Sequence, residues 1–123
     1  MLDVIYGRVS GLLTILGVPA GDQVVDYSAY SSDENGDPVA DNLDDVPVEG
    51  VFVIRASADD FYGGDNSKSF KVVVESPTWL GLCVIANQMI LTTGDRHHCF
   101  LEGIRKTKRV VGGLPVYRLS MGS

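Results

Sequence analysis

Apolar residues recur along this chain in more than one rhythm, and each rhythm predicts a different element. Residues 51–57 (VFVIRAS) and 70–76 (FKVVVES) are short runs rich in β-branched and aromatic residues, bounded by turn chemistry, so both read as strands. The polar, glycine-containing residues between them predict a long-looped hairpin that presents Asp59, Asp60, Phe61, Tyr62 and Asp65 at its tip. Near the C-terminus, residues 97–107 (HHCFLEGIRKT) alternate loosely and 115–121 (PVYRLSM) alternate better. Gly112-Gly113 between them predicts a closing hairpin.

From residue 77 the rhythm is helical. Trp79, Leu80, Leu82, Cys83, Val84, Ile85, Ala86, Met89, Ile90 and Leu91 cover most of a helix circumference and leave a polar strip of Gly81, Asn87, Gln88 and Thr92. Ser76 can cap the start, Pro77 suits the first helical position, and Gly94 can stop the helix in the left-handed conformation. A helix of about residues 77–93 that is apolar nearly all round is expected to be covered on more than one side, by its own sheet and by a second subunit.

The N-terminal stretch fits two patterns. Residues 2–9 and 12–18 read as strands split by Ser10-Gly11, whereas Val4, Ile5, Val9, Leu12, Leu13 and Leu16 also fit a helix over residues 2–16. Gly7 and Gly11 favour the strands, because glycine costs a helix interior about 1 kcal/mol relative to alanine. Pro19 and Gly21 mark a turn, and 23–30 (QVVDYSAY) predicts a further strand. The resulting fold class is α+β: a mainly antiparallel sheet of about five or six strands packed around one long helix. A single domain spanning 1–123 is expected, with a long acidic loop at about 31–50.

Charge changes this picture more than composition does. The net charge is -6, yet residues 1–65 hold 13 acids against 2 arginines and residues 66–123 hold 8 basic residues against 3 acids, giving -11 and +5. Complementary halves favour self-association or docking on a charged partner. The acidic total argues against nucleic-acid binding, which needs a basic footprint. No apolar run reaches the ~20 residues of a membrane span, and the N-terminus lacks a basic region leading into a long apolar core. The expectation is a cytoplasmic protein with no membrane partner, whose Cys83 and Cys99 stay reduced.

Three clusters carry possible chemistry. Asp33, Asn35, Asp37, Asp41 and Asp44 stand at positions 1, 3, 5, 9 and 12 of a twelve-residue stretch, with the Val39 carbonyl at position 7. That spacing resembles the calcium loops of EF-hands and, with aspartate at position 12, those of dockerin modules; calcium is the one cofactor the resemblance implies. Pro38 occupies position 6, where such loops need glycine, and neither flank reads as a helix. The second cluster is GDRHHCFLEG, residues 94–103. His98 with Glu102, or His97 with Asp95, would form an acid–base pair, and Cys99 a nucleophile. Adjacent histidines on a strand face opposite ways, so at most one joins a given site. The third is the basic run Arg105, Lys106, Lys108 and Arg109, which with Trp79 forms the candidate interaction set. Phosphate-cradling loops, dinucleotide fingerprints and serine nucleophile elbows are absent from the sequence.

The functional expectation is a non-enzymatic binding or assembly module that self-associates, most simply as a dimer. The alternative is a small enzyme or ligand-binding domain with a pocket between helix and sheet, using a His/carboxylate pair and Tyr62 or Tyr117.

Overall fold

A computed structural model describes residues 2–39, 41–57, 69–94 and 96–122. Its first element corrects the N-terminal reading: Leu2–Ile15 is a helix, α1. Ile5, Val9 and Leu13 recur every fourth residue and are buried, while Gly7 and Gly11 lie on the exposed side. The glycines therefore weaken the helix without interrupting the stripe that packs it, and the buried stripe decides the conformation. Gln23 fastens the C-terminal half of α1. Its side chain accepts from Ser10 Oγ (2.5 Å) and donates to Thr14 Oγ1 (2.9 Å), the Val18 carbonyl (3.1 Å) and the Ser10 carbonyl (3.2 Å).

A single turn of 3-10 helix at Ala20–Asp22 leads to seven strands and a second helix. They are β1 (Asp26–Tyr27), β2 (Ser31–Ser32), β3 (Pro38–Val39), β4 (Val51–Ser57), β5 (Ser69–Glu75), α2 (Trp79–Thr93), β6 (Phe100–Val111) and β7 (Leu114–Gly122). Five strands form one sheet in the order β1-β6-β7-β4-β5, curled into a half-barrel, and β2 pairs with β3 separately. The expected hairpins β4/β5 and β6/β7 are present and antiparallel. The expectation of a mainly antiparallel sheet around one long helix is overturned, because the sheet is mixed and the described residues include two α-helices. β1 runs parallel to β6 and β4 parallel to β7. Antiparallel pairs here join consecutive strands, and parallel pairs join strands distant in sequence, as the long connection of a parallel pair requires.

The join between the two hairpins is short. β4 meets β7 only at Val53↔Val116 and Ile54↔Tyr117, beyond which no further residues pair. Phe52, Ile54 and Ala56 face a core shared with Leu82, Cys83, Ala86, Met89 and Ile90 of α2 and the buried stripe of α1. Val53 and Val116 are buried outside that cluster, on the opposite face of the sheet.

Helix α2 ends at Gly94, which is left-handed (φ 76°) as expected, but it begins two residues later than Pro77 and Ser76 imply. Thr78 is the cap, its Oγ1 accepting from the Gly81 amide at 3.1 Å. Ser76 serves the neighbouring hairpin: its Oγ accepts from the Gly50 amide (2.8 Å) and its own amide donates to the Gly50 carbonyl (2.9 Å). It does so at φ 39°, a left-handed conformation costly for a residue with a Cβ.

Asn87, placed by sequence on a polar strip, is instead only 1% exposed. Its Oδ1 accepts from the amides of Val24 (2.7 Å) and Val25 (3.1 Å), and its Nδ2 donates to the Asp22 carbonyl (2.9 Å). The predicted strand at 23–30 is shortened to two residues because this side chain takes amides that strand pairing would have used.

The acidic segment 31–50 is anchored to this framework. Leu43 is buried, and its carbonyl and that of Asp45 accept from the amides of Leu80 and Trp79, which a helix N-terminus leaves unpaired. Asn42 bridges Tyr27 Oη (2.6 Å) and the Ala29 carbonyl (2.7 Å).

Candidate functional site

Pairing register and strand alternation together assemble a feature that no single segment carries. On β4 the residues facing away from α2 are Val51, Val53 and Arg55; on β5 Lys71 stands directly across from Arg55. On β7 the same face carries Val116, Arg118 and Ser120, and Arg105 of β6 stands across from Arg118. Four strands thus bring Lys71, Arg55, Arg118 and Arg105 into a row on the sheet face opposite the core cluster.

Like charges directly opposite one another destabilise a sheet, so such a row is uphill for the isolated fold. Arg118 registers this: burial first, and the neighbouring Arg55 second, hold its guanidinium below the ordinary arginine range. Where β4 and β7 part, the face opens into a shallow cavity of about 270 Å3 whose lining includes Arg55, Arg105, Arg118, Glu102 and Ser120, with Met89 of α2 reaching it. The Glu102 carboxylate lies over Gly122, where any side chain would collide with it. Among the described residues of the lining, Glu102 is the acid gathered with three arginines.

The basic run is divided by this register. Arg105 belongs to the row, whereas Lys106 pairs with Tyr117 and so falls on the opposite face. Lys108 and Arg109 lie in the irregular stretch between Lys106 and Val110, exposed, with the Arg109 amide donating to Thr107 Oγ1 at 3.1 Å. Trp79 is half-buried and sets its ring edge-on to Tyr27 at 6.3 Å, so much of its surface is spent inside the fold. Sequence alone offered no view of the row, because Arg55, Lys71 and Arg118 are isolated cations until register aligns them.

The acids are gathered in segment 31–50, which packs against the N-terminus of α2. Asp33, Glu34, Asp37, Asp41, Asp44 and Asp45 are all exposed. Asp33 Oδ1 accepts from the amides of Asn35 and Asp37, both at 2.9 Å, and closes the β2/β3 turn. Ser31 Oγ donates to Asp41, and Asp44 and Asp45 lie beside the helix N-terminus, whose dipole favours anions. Among the described residues no group of three or more His, Cys, Asp or Glu is placed to hold a metal ion.

In the remaining cluster, His97 is exposed and His98 and Cys99 are half-buried in the segment leading into β6. Glu102, one strand turn further on, is gathered with the arginines. Asp95 and the expected hairpin tip (Asp59, Asp60, Phe61, Tyr62, Asp65) lie outside the described residues. Both cysteines are free; burial pushes the Cys83 thiol up to about 12, and burial with Asp26 nearby raises Cys99. Among the described residues no helix is long and apolar enough to cross a membrane. No protein-family model, curated protein or solved structure matches this chain, so its chemistry rests on this geometry.

Proposed function

We propose that the chain is a non-enzymatic assembly module that binds other copies of itself, the cationic sheet face of one copy receiving the acidic segment of the next. The observation that carries this reading is the row Lys71, Arg55, Arg118 and Arg105, held in register on the sheet face opposite the core cluster. A row of four cations on one sheet face is complementary in charge to an anionic partner. The acids at 33–45 supply matching charge and belong to a segment anchored at the N-terminus of α2, and the pairing proposed is between copies. A contact between two different surfaces is head-to-tail and continues past two copies until a ring closes or a filament grows.

Light scattering coupled to size exclusion tests the idea. At low ionic strength the mass should exceed the 13.2 kDa of one chain and fall toward it near 1 M salt, where charges are screened beyond ~3 Å. Reversing Arg55 and Lys71 to glutamate should abolish association at low salt. A chain that stays at monomer mass at low salt, or an oligomer indifferent to salt, would sink the proposal.

A further inference from the structure

A second feature lies apart from the charged faces. α1 and the segment 23–30 enclose a cleft of about 550 Å3, within the range of small-molecule sites. Ile5, Val9 and Leu13 form one wall, and Val25, Tyr27 and Phe100 contribute to the other. Of the polar groups along it, Ser10 and Gln23 are spent on each other, and Tyr27 Oη donates to Asn42 Oδ1. Asp26 differs. Its amide holds β1 to the Cys99 carbonyl, but among the described residues its carboxylate has neither a hydrogen bond nor an ion pair. A half-buried anion beside apolar walls, without a donor, is a costly arrangement that a cation of the right shape would relieve.

We infer that the cleft between α1 and β1 binds a small amphipathic cation, an ammonium group on an apolar body, with Asp26 as its counter-ion. The apolar body lies in the cleft lined by Ile5, Val9 and Leu13, and the ammonium is set at Asp26 beside the ring of Phe100, which pairs with Asp26 across β1 and β6 and favours cations. Desolvation raises the Asp26 carboxyl above its ordinary range, the direction expected of an acid that lacks its cation.

The test uses phenethylamine, with 2-phenylethanol and phenylacetate as probes of matched body and different charge. Trp79 is the only tryptophan and touches Tyr27 in the cleft wall, so its fluorescence reports occupancy, and calorimetry checks it. Phenethylamine should bind saturably and roughly tenfold or more tighter than the alcohol, a tenfold ratio being about 1.4 kcal/mol. Phenylacetate should not saturate. Asp26→Asn should bring the amine down to the affinity of the alcohol while leaving the far-ultraviolet circular dichroism unchanged. Equal affinity for all three probes, no saturation by the amine, or full amine affinity in Asp26→Asn would overturn the inference. Should that variant fail to fold, the three-probe comparison on the unaltered chain still decides it.

Discussion

Replacing Asn87 by alanine should be the most destabilising polar-to-alanine change in α2. The side chain serves three backbone groups: the amides of Val24 and Val25 and the carbonyl of Asp22. The Val25 bond is buried, so its stranded amide costs about 1–3 kcal/mol; the two partly exposed groups regain water and cost about 0.5–1 kcal/mol each. The sum is about 3 kcal/mol, a large share of the 5–15 kcal/mol typical of a domain. At this chain length that corresponds to a fall in Tm of roughly 10–20 °C. Urea unfolding followed by circular dichroism and by Trp79 emission measures it directly. Asn87→Asp adds a sharper signature. The introduced carboxylate still accepts from both amides but has no donor for the Asp22 carbonyl, so Asn87→Asp should be less stable than the unaltered chain. A loss below 1 kcal/mol for the alanine variant, or an aspartate variant as stable as the unaltered chain, would refute the account of Asn87 as the organiser of residues 22–25.

Other consequences are as direct. Gly7→Ala and Gly11→Ala, on the exposed side of α1 with open space at each Cβ, should each stabilise by about 0.5–1 kcal/mol in the same urea assay. Gly94→Ala should cost about 1 kcal/mol, because a Cβ is placed at φ 76° although nothing crowds it. A thiol reagent should modify Cys99 well before Cys83, which reacts only on unfolding. Because the folded Cys83 thiol is raised to about 12, its contribution to stability is complete below the unfolded thiol pKa near 9 and declines between there and 12, which denaturant midpoints at pH 8 and 10.5 would reveal.

What the sequence made legible was local chemistry. The runs at 51–57 and 70–76, the Gly112-Gly113 turn and the stop at Gly94 each depend on neighbours a few residues away, and each stands close to its expected place. The N-terminus misled because Gly7 and Gly11 speak about propensity, whereas the conformation follows the stripe Ile5, Val9, Leu13, whose partners are in distant elements. Ser76, the expected cap, is engaged by Gly50, which the β4/β5 hairpin brings up, and Thr78 caps the helix in its place. The cationic row and the Asp26 cleft were invisible for the same reason. Each needs the parallel pairs β4/β7 and β1/β6, which join residues far apart in the chain and leave no local trace.

The two-residue seam between β4 and β7 has a kinetic meaning. Each hairpin closes over a short span of chain, and such pairings form in microseconds. Joining Val53 to Val116 requires a much longer stretch of backbone to be organised first, including the whole of α2, and long loops delay the contacts they close. The seam is then the late step, with the two hairpins as early, semi-independent units and the seam amides as the ones that exchange with solvent when the sheet opens. A folding intermediate of this protein would be one in which both hairpins are formed and the sheet is still in two halves.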